Sequence, residues 1–241
     1  MKTIKLSIVL IFLSFNTLFA YLQNTSDFNK ETESFLKKYV KNGKVDYQSL
    51  KSNFKEIDML YNSLQSVDIK ILTDNEVKAF YINAYNIIVI HQITKYFPLK
   101  SALDRNGFFD KVKHNIAGEN LTLDQIEKGK VILKFRDPLV HFAFSCAAIG
   151  CPELANFAFM PNQLDTQLNE RAQNSINNPG LIKVDKNKKQ VNLSMIFKWY
   201  EKDFLMDEKS VIAYINKYRT QKIPVDYTIA YYDYDWSLNI Q

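Results

Sequence analysis

Thr73-Asp-Asn-Glu-Val-Lys-Ala-Phe-Tyr-Ile-Asn-Ala-Tyr-Asn-Ile-Ile-Val-Ile-His-Gln-Ile-Thr-Lys-Tyr-Phe-Pro98 is the stretch that decides how this chain folds. Thr73 with Glu76 forms a capping box, and Pro98 forbids the helical conformation to the residue before it, so a helix runs from about Val77 to Phe97. Within it Ala79, Phe80, Ile82, Ala84, Ile87, Ile88, Val89, Ile90 and Ile93 leave no clear polar face. A helix that is apolar all round has to be covered on every side, which predicts a buried central helix. Asn83 and Asn86 are the anomalies. Three positions apart, they share a face, and a buried carboxamide costs about 1–3 kcal/mol unless it finds partners. They serve either to tie a loop's backbone to the central helix or to touch a substrate.

Working outward, residues Asn29 to Asn42 and about Tyr47 to Leu64 carry apolar residues at helical spacing, with Asn42-Gly43 as a stop between them. After Pro98 the pattern predicts a turn at Asn106-Gly107, a short hairpin from Lys111 to Asn120 and a helix from Thr122 past Glu127. Leu139 to Ser145 reads as a buried strand and Pro161 to Ile176 as a helix that stops at Asn177-Asn178-Pro179. Leu181 to Asp185 and Gln190 to Leu193 read as a second hairpin, Ser194 to Phe204 and Glu208 to Tyr218 as helices, and Tyr227 to Tyr234 as a last strand. Helix exceeds strand without strict alternation. The expected class is therefore α+β, a predominantly helical single domain with a small, mostly antiparallel sheet around the central helix.

The first twenty of the 241 residues have the parts of a secretory signal: Lys2 and Lys5, an apolar run from Leu6 to Phe15, and Ala20 at a plausible cut. That run is too short for a membrane span, which takes roughly 20 residues. The expectation is an exported protein, periplasmic or secreted, with no transmembrane anchor after cleavage and one globular domain over residues 21–241. The net charge is +5, and loss of Lys2 and Lys5 brings it to +3. Lys and Arg are spread along the chain, so no nucleic-acid footprint is expected. With 17 Phe, 14 Tyr and only 6 Gly, the composition is that of an aromatic core, not of disorder.

Chemistry concentrates in His141-Phe-Ala-Phe-Ser-Cys-Ala-Ala-Ile-Gly-Cys-Pro152, which holds both cysteines of the chain, Cys146 and Cys151. In an oxidising compartment a short-range disulfide is the default for such a pair. As thiols they have another use: a nearby imidazole generates a thiolate nucleophile, and hydrogen-bond donors receive the developing oxyanion. On a regular strand His141 and Cys146 point to opposite faces, whereas the Ala-Ala-Ile-Gly loop could return Cys151 toward His141. Gly150 permits a tight turn beside it. Asn83 or Asn86 could orient the imidazole or donate to the oxyanion. His141 could equally be a core residue bonded to a backbone carbonyl. Asp235-Trp236 reads as a tail anchor, the indole filling a pocket while Asp235 and Asn239 satisfy local amides.

Tyr81-Ile-Asn-Ala-Tyr-Asn86, Leu121-Thr-Leu-Asp-Gln-Ile-Glu-Lys-Gly129, Arg136-Asp-Pro-Leu-Val-His-Phe-Ala-Phe144, Cys146 to Leu154, Ile196-Phe-Lys-Trp-Tyr200 with Asp203-Phe204, and Tyr234-Asp-Trp-Ser-Leu-Asn239 follow one another along the chain. This ordered set resembles the family catalogued as domain of unknown function 547. The resemblance implies one family-length domain and no established activity. The family usually reads Glu-His-Gly where this chain has Glu127-Lys128-Gly129, so a role for that histidine, in a metal site or otherwise, does not carry over. Ser145 and Ile149-Gly150 also depart from the family pattern.

Three functions follow. The first is a thiol-dependent hydrolase or acyl transferase acting on an envelope amide or peptide, with His141, Cys151, Cys146, Asn83, Asn86 and Glu127 as its site and no cofactor. The second is a non-catalytic binding module with a Cys146–Cys151 disulfide. The third is a metal-dependent enzyme, although His-x4-Cys-x4-Cys is not a familiar zinc spacing. The partner is an unidentified small molecule or peptide.

Overall fold

A computed structural model describes residues 27–241. The leader expected over residues 1–20 lies outside the described residues. Among these, no helix is long and apolar enough to cross a membrane.

Helix α1 (27–39) leads into a two-residue ladder, β1 (Val40–Lys41) against β2 (Lys44–Val45), turned by Asn42 and Gly43 in left-handed conformations. The expected helix from Tyr47 to Leu64 is two, α2 (Tyr47–Ser52) and α3 (Phe54–Ser63). Asn53 breaks it by competing for the last carbonyls: its amide N–H bonds Leu50 and Ser49, and its side chain bonds Ser49 again.

Helix α4 (Asp74–Tyr96) is the predicted central helix, and both halves of the Thr73/Glu76 capping box are formed. Every residue from Val77 to Thr94 is buried. Even Lys78 is covered, its ammonium paired with Asp137. The predicted hairpin is present as β3 (His114–Ile116) and β4 (Glu119–Leu121). It docks through His114, whose Nδ1 lies 2.9 Å from the Tyr61 hydroxyl, while Tyr61 stacks on His91 of α4 at 4.0 Å. A reciprocal Thr122/Gln125 cap then starts a π-helical stretch (Gln125–Ile132) that runs into α5 (Leu133–Phe135).

The strand expected over Leu139 to Ser145 is not formed. Pro138–Phe142 is a 3-10 helix, because Pro138 at its first turn has no N–H to satisfy and Asp137 caps it by accepting from the Leu139 amide at 2.9 Å. Its continuous apolarity reflects position, since Leu139 packs against both of the molecule's core clusters, one around α4 and one in the C-terminal part. The second cluster is made by α6 (Leu164–Asn177), β5 (Ile182–Asp185), β6 (Gln190–Leu193), α7 (Ile196–Trp199), α8 (Glu201–Phe204), α9 (Val211–Tyr218) and β7 (Thr228–Tyr231). β5 and β6 are antiparallel, and β7 joins β6 in parallel. The architecture is α+β, helix-rich, with small and mostly antiparallel sheets, as the sequence predicts.

The C-terminal segment returns across the molecule to the cysteine loop. Ile149 donates to Ser237 at 2.8 Å, Gly150 to Asp235 at 2.9 Å, and Asn239 to Ala147 at 2.9 Å. Gly150 lies in the expected tight turn, closed by the Cys151 amide donating to the Ala148 carbonyl at 3.2 Å, and what requires a glycine there is this approach of the C-terminal segment. A Cβ there would stand 3.0 Å from the Asp235 nitrogen, while the left-handed residue of the loop is Ala147.

Candidate active site

The two core clusters meet at a cleft of about 430 Å3. Tyr85 of α4, Phe144, Glu127, Ile196, Tyr200 and His141 line it together with Cys146 and Cys151. Trp199, Tyr234 and Trp236 form an aromatic wall at its mouth, with centroids 4.8 Å apart for Tyr234 and Trp236 and 4.9 Å for Trp199 and Tyr234.

His141 is buried, with Tyr200 stacked on it at 4.0 Å and Phe204 against its edge at 5.3 Å. Its Nε2 donates to Asp203 Oδ2 at 2.9 Å. The nitrogen facing the carboxylate must carry a hydrogen, and Nδ1 on the other side of the ring has no partner. The bond is therefore to a carboxylate, not to the backbone carbonyl that a core histidine would use.

Glu127 is buried on the π-helical stretch and accepts from the Tyr200 hydroxyl at 2.5 Å. Burial pushes its carboxyl above the usual carboxylate range, against the opposing pull of Tyr200 and His141. Burial and the nearby Glu127 push the Tyr85 and Tyr200 phenols upward in turn. A π-helix widens each turn and rotates the side chains that follow, a distortion often found at functional sites.

Cys146 and Cys151 are joined in a disulfide. The Cys151 sulfur accepts from the Cys146 amide at 2.9 Å and from the Tyr234 hydroxyl at 3.0 Å, and that hydroxyl lies 3.1 Å from the Cys146 sulfur. Cys151 is 7 % exposed; Cys146 is more open.

Four of the six residues singled out in the sequence, His141, Cys146, Cys151 and Glu127, thus come together. Asn83 and Asn86 stand behind the cleft and hold its walls. Asn83 donates to Asn29 Oδ1 and the Phe159 carbonyl, at 3.0 and 2.9 Å, and accepts from the Phe159 amide at 2.9 Å. Asn86 donates to the Ala143 carbonyl at 2.9 Å and accepts from the Ser145 amide at 3.0 Å, fixing the segment that delivers Cys146. Asp203, Tyr200, Trp199 and Tyr234 were not foreseen as site residues. The signal present was the i, i+3 spacing of Tyr200 and Asp203, which puts both on one helical face. Trp236 does not fill an anchoring pocket; it lines the cleft, and the tail is anchored by Asn239, which accepts from the Tyr47 hydroxyl at 3.0 Å and donates to the Gly43 carbonyl at 3.1 Å. Among the described residues no three His, Cys, Asp or Glu side chains converge as metal ligands.

Residues 69–176 match the family model described as protein of unknown function, DUF547. The match covers Glu127, His141 and both cysteines, while Asp203 and the aromatic wall lie beyond it. No curated protein and no solved structure matches the chain.

Proposed function

We propose that this chain is a member of the DUF547 family, whose model matches residues 69–176, and that its cleft is a thiol-dependent hydrolase or acyl-transferase site for an amide or peptide, latent while the disulfide is closed. The observation that carries this reading is the pairing of His141 with Asp203 in the cleft that holds both sulfurs, with Nδ1 left as the free acceptor. Neither sulfur is hydrogen-bonded to Nδ1 while the bridge is closed, so the proton is to pass once opening of the bridge lets Cys151 turn toward the ring, or through one water. Cys151 is the nucleophile, since two donors, the Cys146 amide and the Tyr234 hydroxyl, are already aimed at its sulfur and would stabilise a thiolate there.

A dithiol reductant opens the bridge, taking up its disulfide and leaving two thiols. The Cys151 proton then passes to His141 Nδ1, the thiolate bonds to the substrate carbonyl carbon, and the C–N bond breaks as His141 returns the proton to the departing amine. Water, or an acceptor amine, attacks the thioester with His141 again as base; the C–S bond breaks and the proton returns to sulfur. Glu127, raised above the usual carboxylate range by burial and bonded to the Tyr200 hydroxyl, holds that phenol in the cleft. The proposal also takes the protein to be exported, as residues 1–20 suggest, to a compartment where the bridge persists until it is reduced.

The test is a screen of amide and acyl-ester substrates with protein reduced by a phosphine, alongside Cys151→Ser and His141→Ala. Hydrolysis that appears on reduction and disappears in both variants supports the reading. Equal turnover with the bridge closed, or in Cys151→Ser, refutes it.

A further inference from the structure

We infer that the Cys146–Cys151 bridge is itself a reactive centre for thiol–disulfide exchange with a dithiol partner, with Cys146 the attacked sulfur and Cys151 the leaving one. The inference does not rest on the hydrolytic reading, because it needs only the bridge in its cleft.

Three features separate this bridge from a structural staple. It spans only five positions, so it constrains little of the unfolded chain, and the molecule already has two apolar cores to hold it together. It borders a cleft large enough for a peptide side chain, where most structural bridges are covered. Its two sulfurs are also unequal. Cys146 is the more accessible, while Cys151 is almost covered and alone receives the Cys146 amide, at 2.9 Å; the Tyr234 hydroxyl lies between the sulfurs, 3.0 Å from Cys151 and 3.1 Å from Cys146, and can follow the one that leaves. Exchange is fast where an incoming thiolate reaches one sulfur and the other departs as a stabilised thiolate. The exposure of Cys146 and the amide held on Cys151 both favour the same direction.

The step balances without an outside oxidant. A thiolate of the partner bonds to Cys146 Sγ as the Cys146–Cys151 bond breaks, and the electron pair leaves on Cys151 Sγ, which the amide and the phenol hold. The partner's second thiol, once deprotonated, attacks the mixed disulfide and frees Cys146, so the partner ends with a disulfide and this chain with two thiols. The partner is thus a dithiol peptide or protein whose cysteines enter the aromatic cleft. Its reaction is also what would unlock Cys151 for any thiol chemistry.

The experiment uses oxidised full-chain protein, its bridge verified by intact mass, with glutathione and dithiothreitol as probes and no amide or ester present. Failure of the hydrolytic reading therefore leaves the result untouched. After acid quench and alkylation, the expected glutathione adduct is on Cys146 with Cys151 alkylated. Dithiothreitol is expected to open the native bridge at least about tenfold faster than the same bridge in chain unfolded by guanidinium chloride, and Tyr234→Phe to slow that opening about tenfold, the loss of one hydrogen bond to a charged group. The wild-type adduct position needs no variant, and far-ultraviolet circular dichroism with thermal unfolding verifies that Tyr234→Phe stays folded. An adduct on Cys151, a native rate no faster than the unfolded one, or an unchanged Tyr234→Phe would overturn the inference. So would isolation of both cysteines as free thiols from an oxidising compartment.

Discussion

His141 and Asp203, sixty-two positions apart, meet through a 2.9 Å bond between Nε2 and a carboxylate oxygen, and the imidazole nitrogen on the other side of the ring is left without a partner. Asp203 comes from the short helix α8 and His141 from the 3-10 helix, so the pair ties the segment before the cysteine loop to the C-terminal part of the molecule. Asp203→Asn keeps the shape but no longer enforces the tautomer with Nδ1 free. It is expected to lower the rate of Cys151 alkylation in the reduced protein by at least about tenfold at neutral pH, with little change in stability, since an amide can still bond the ring. Stopped alkylation and mass analysis give the rate, and thermal unfolding the stability.

Asn86 has the opposite profile. Asn86→Ala leaves the Ala143 carbonyl and the Ser145 amide unpaired in a buried place, at a cost of about 2–4 kcal/mol. Asn83→Ala, which strands both backbone groups of Phe159, is expected to cost about the same. Urea unfolding measures both. If either variant keeps wild-type stability but loses reactivity, that carboxamide belongs to the chemistry and not to the scaffold.

How much of this was legible in the sequence follows from the range of the interactions. The central helix was readable because its cap and its uniform apolarity are local. The strand placed over Leu139 to Ser145 failed because an apolar run does not distinguish a buried strand from a buried helical turn, and the deciding contact, Asp137 capping Leu139, lies at its edge. His141, Glu127 and the cysteines were found by residue type. Asp203, Tyr200 and Tyr234 could not be placed in the site, because nothing local says that α7, α8 and the C-terminal segment fold back over residues 127–151.

Two buried groups give the stability opposite pH dependences. Burial lowers the His114 ring to about 4, so the unfolded chain takes up a proton below about 6.5 that the folded chain refuses. Stability falls as the pH drops through that window, by up to about 3 kcal/mol once below both values. Glu127 is raised, so its contribution is fully present below the unfolded carboxylate value and is lost as the pH rises through the folded one. Melting temperatures from pH 4 to 8 should show His114→Gln removing part of the acid loss. Glu127→Gln should gain on the wild type with increasing pH; parallel curves for all three proteins would contradict both assignments.

The chain has two tryptophans, Trp199 and Trp236, and both stand at the mouth of the cleft. Tryptophan fluorescence, excited selectively, therefore reports on this site. A compound that enters the cleft is expected to quench or shift it. Trp199→Ala, at a position 48 % exposed, should weaken binding of aromatic ligands about fivefold or more without loss of stability.

The central claim is that Cys151 and His141 act as one thiolate site once the bridge is open. It is tested most directly by the pH–rate profile of Cys151 carboxamidomethylation in phosphine-reduced, folded protein, with and without His141→Ala. The account predicts rapid labelling of Cys151 at and below pH 7, with the inflection shifted toward that of a free thiol, near 8.5, when the imidazole is removed. Labelling that follows an ordinary thiol in both proteins would contradict it.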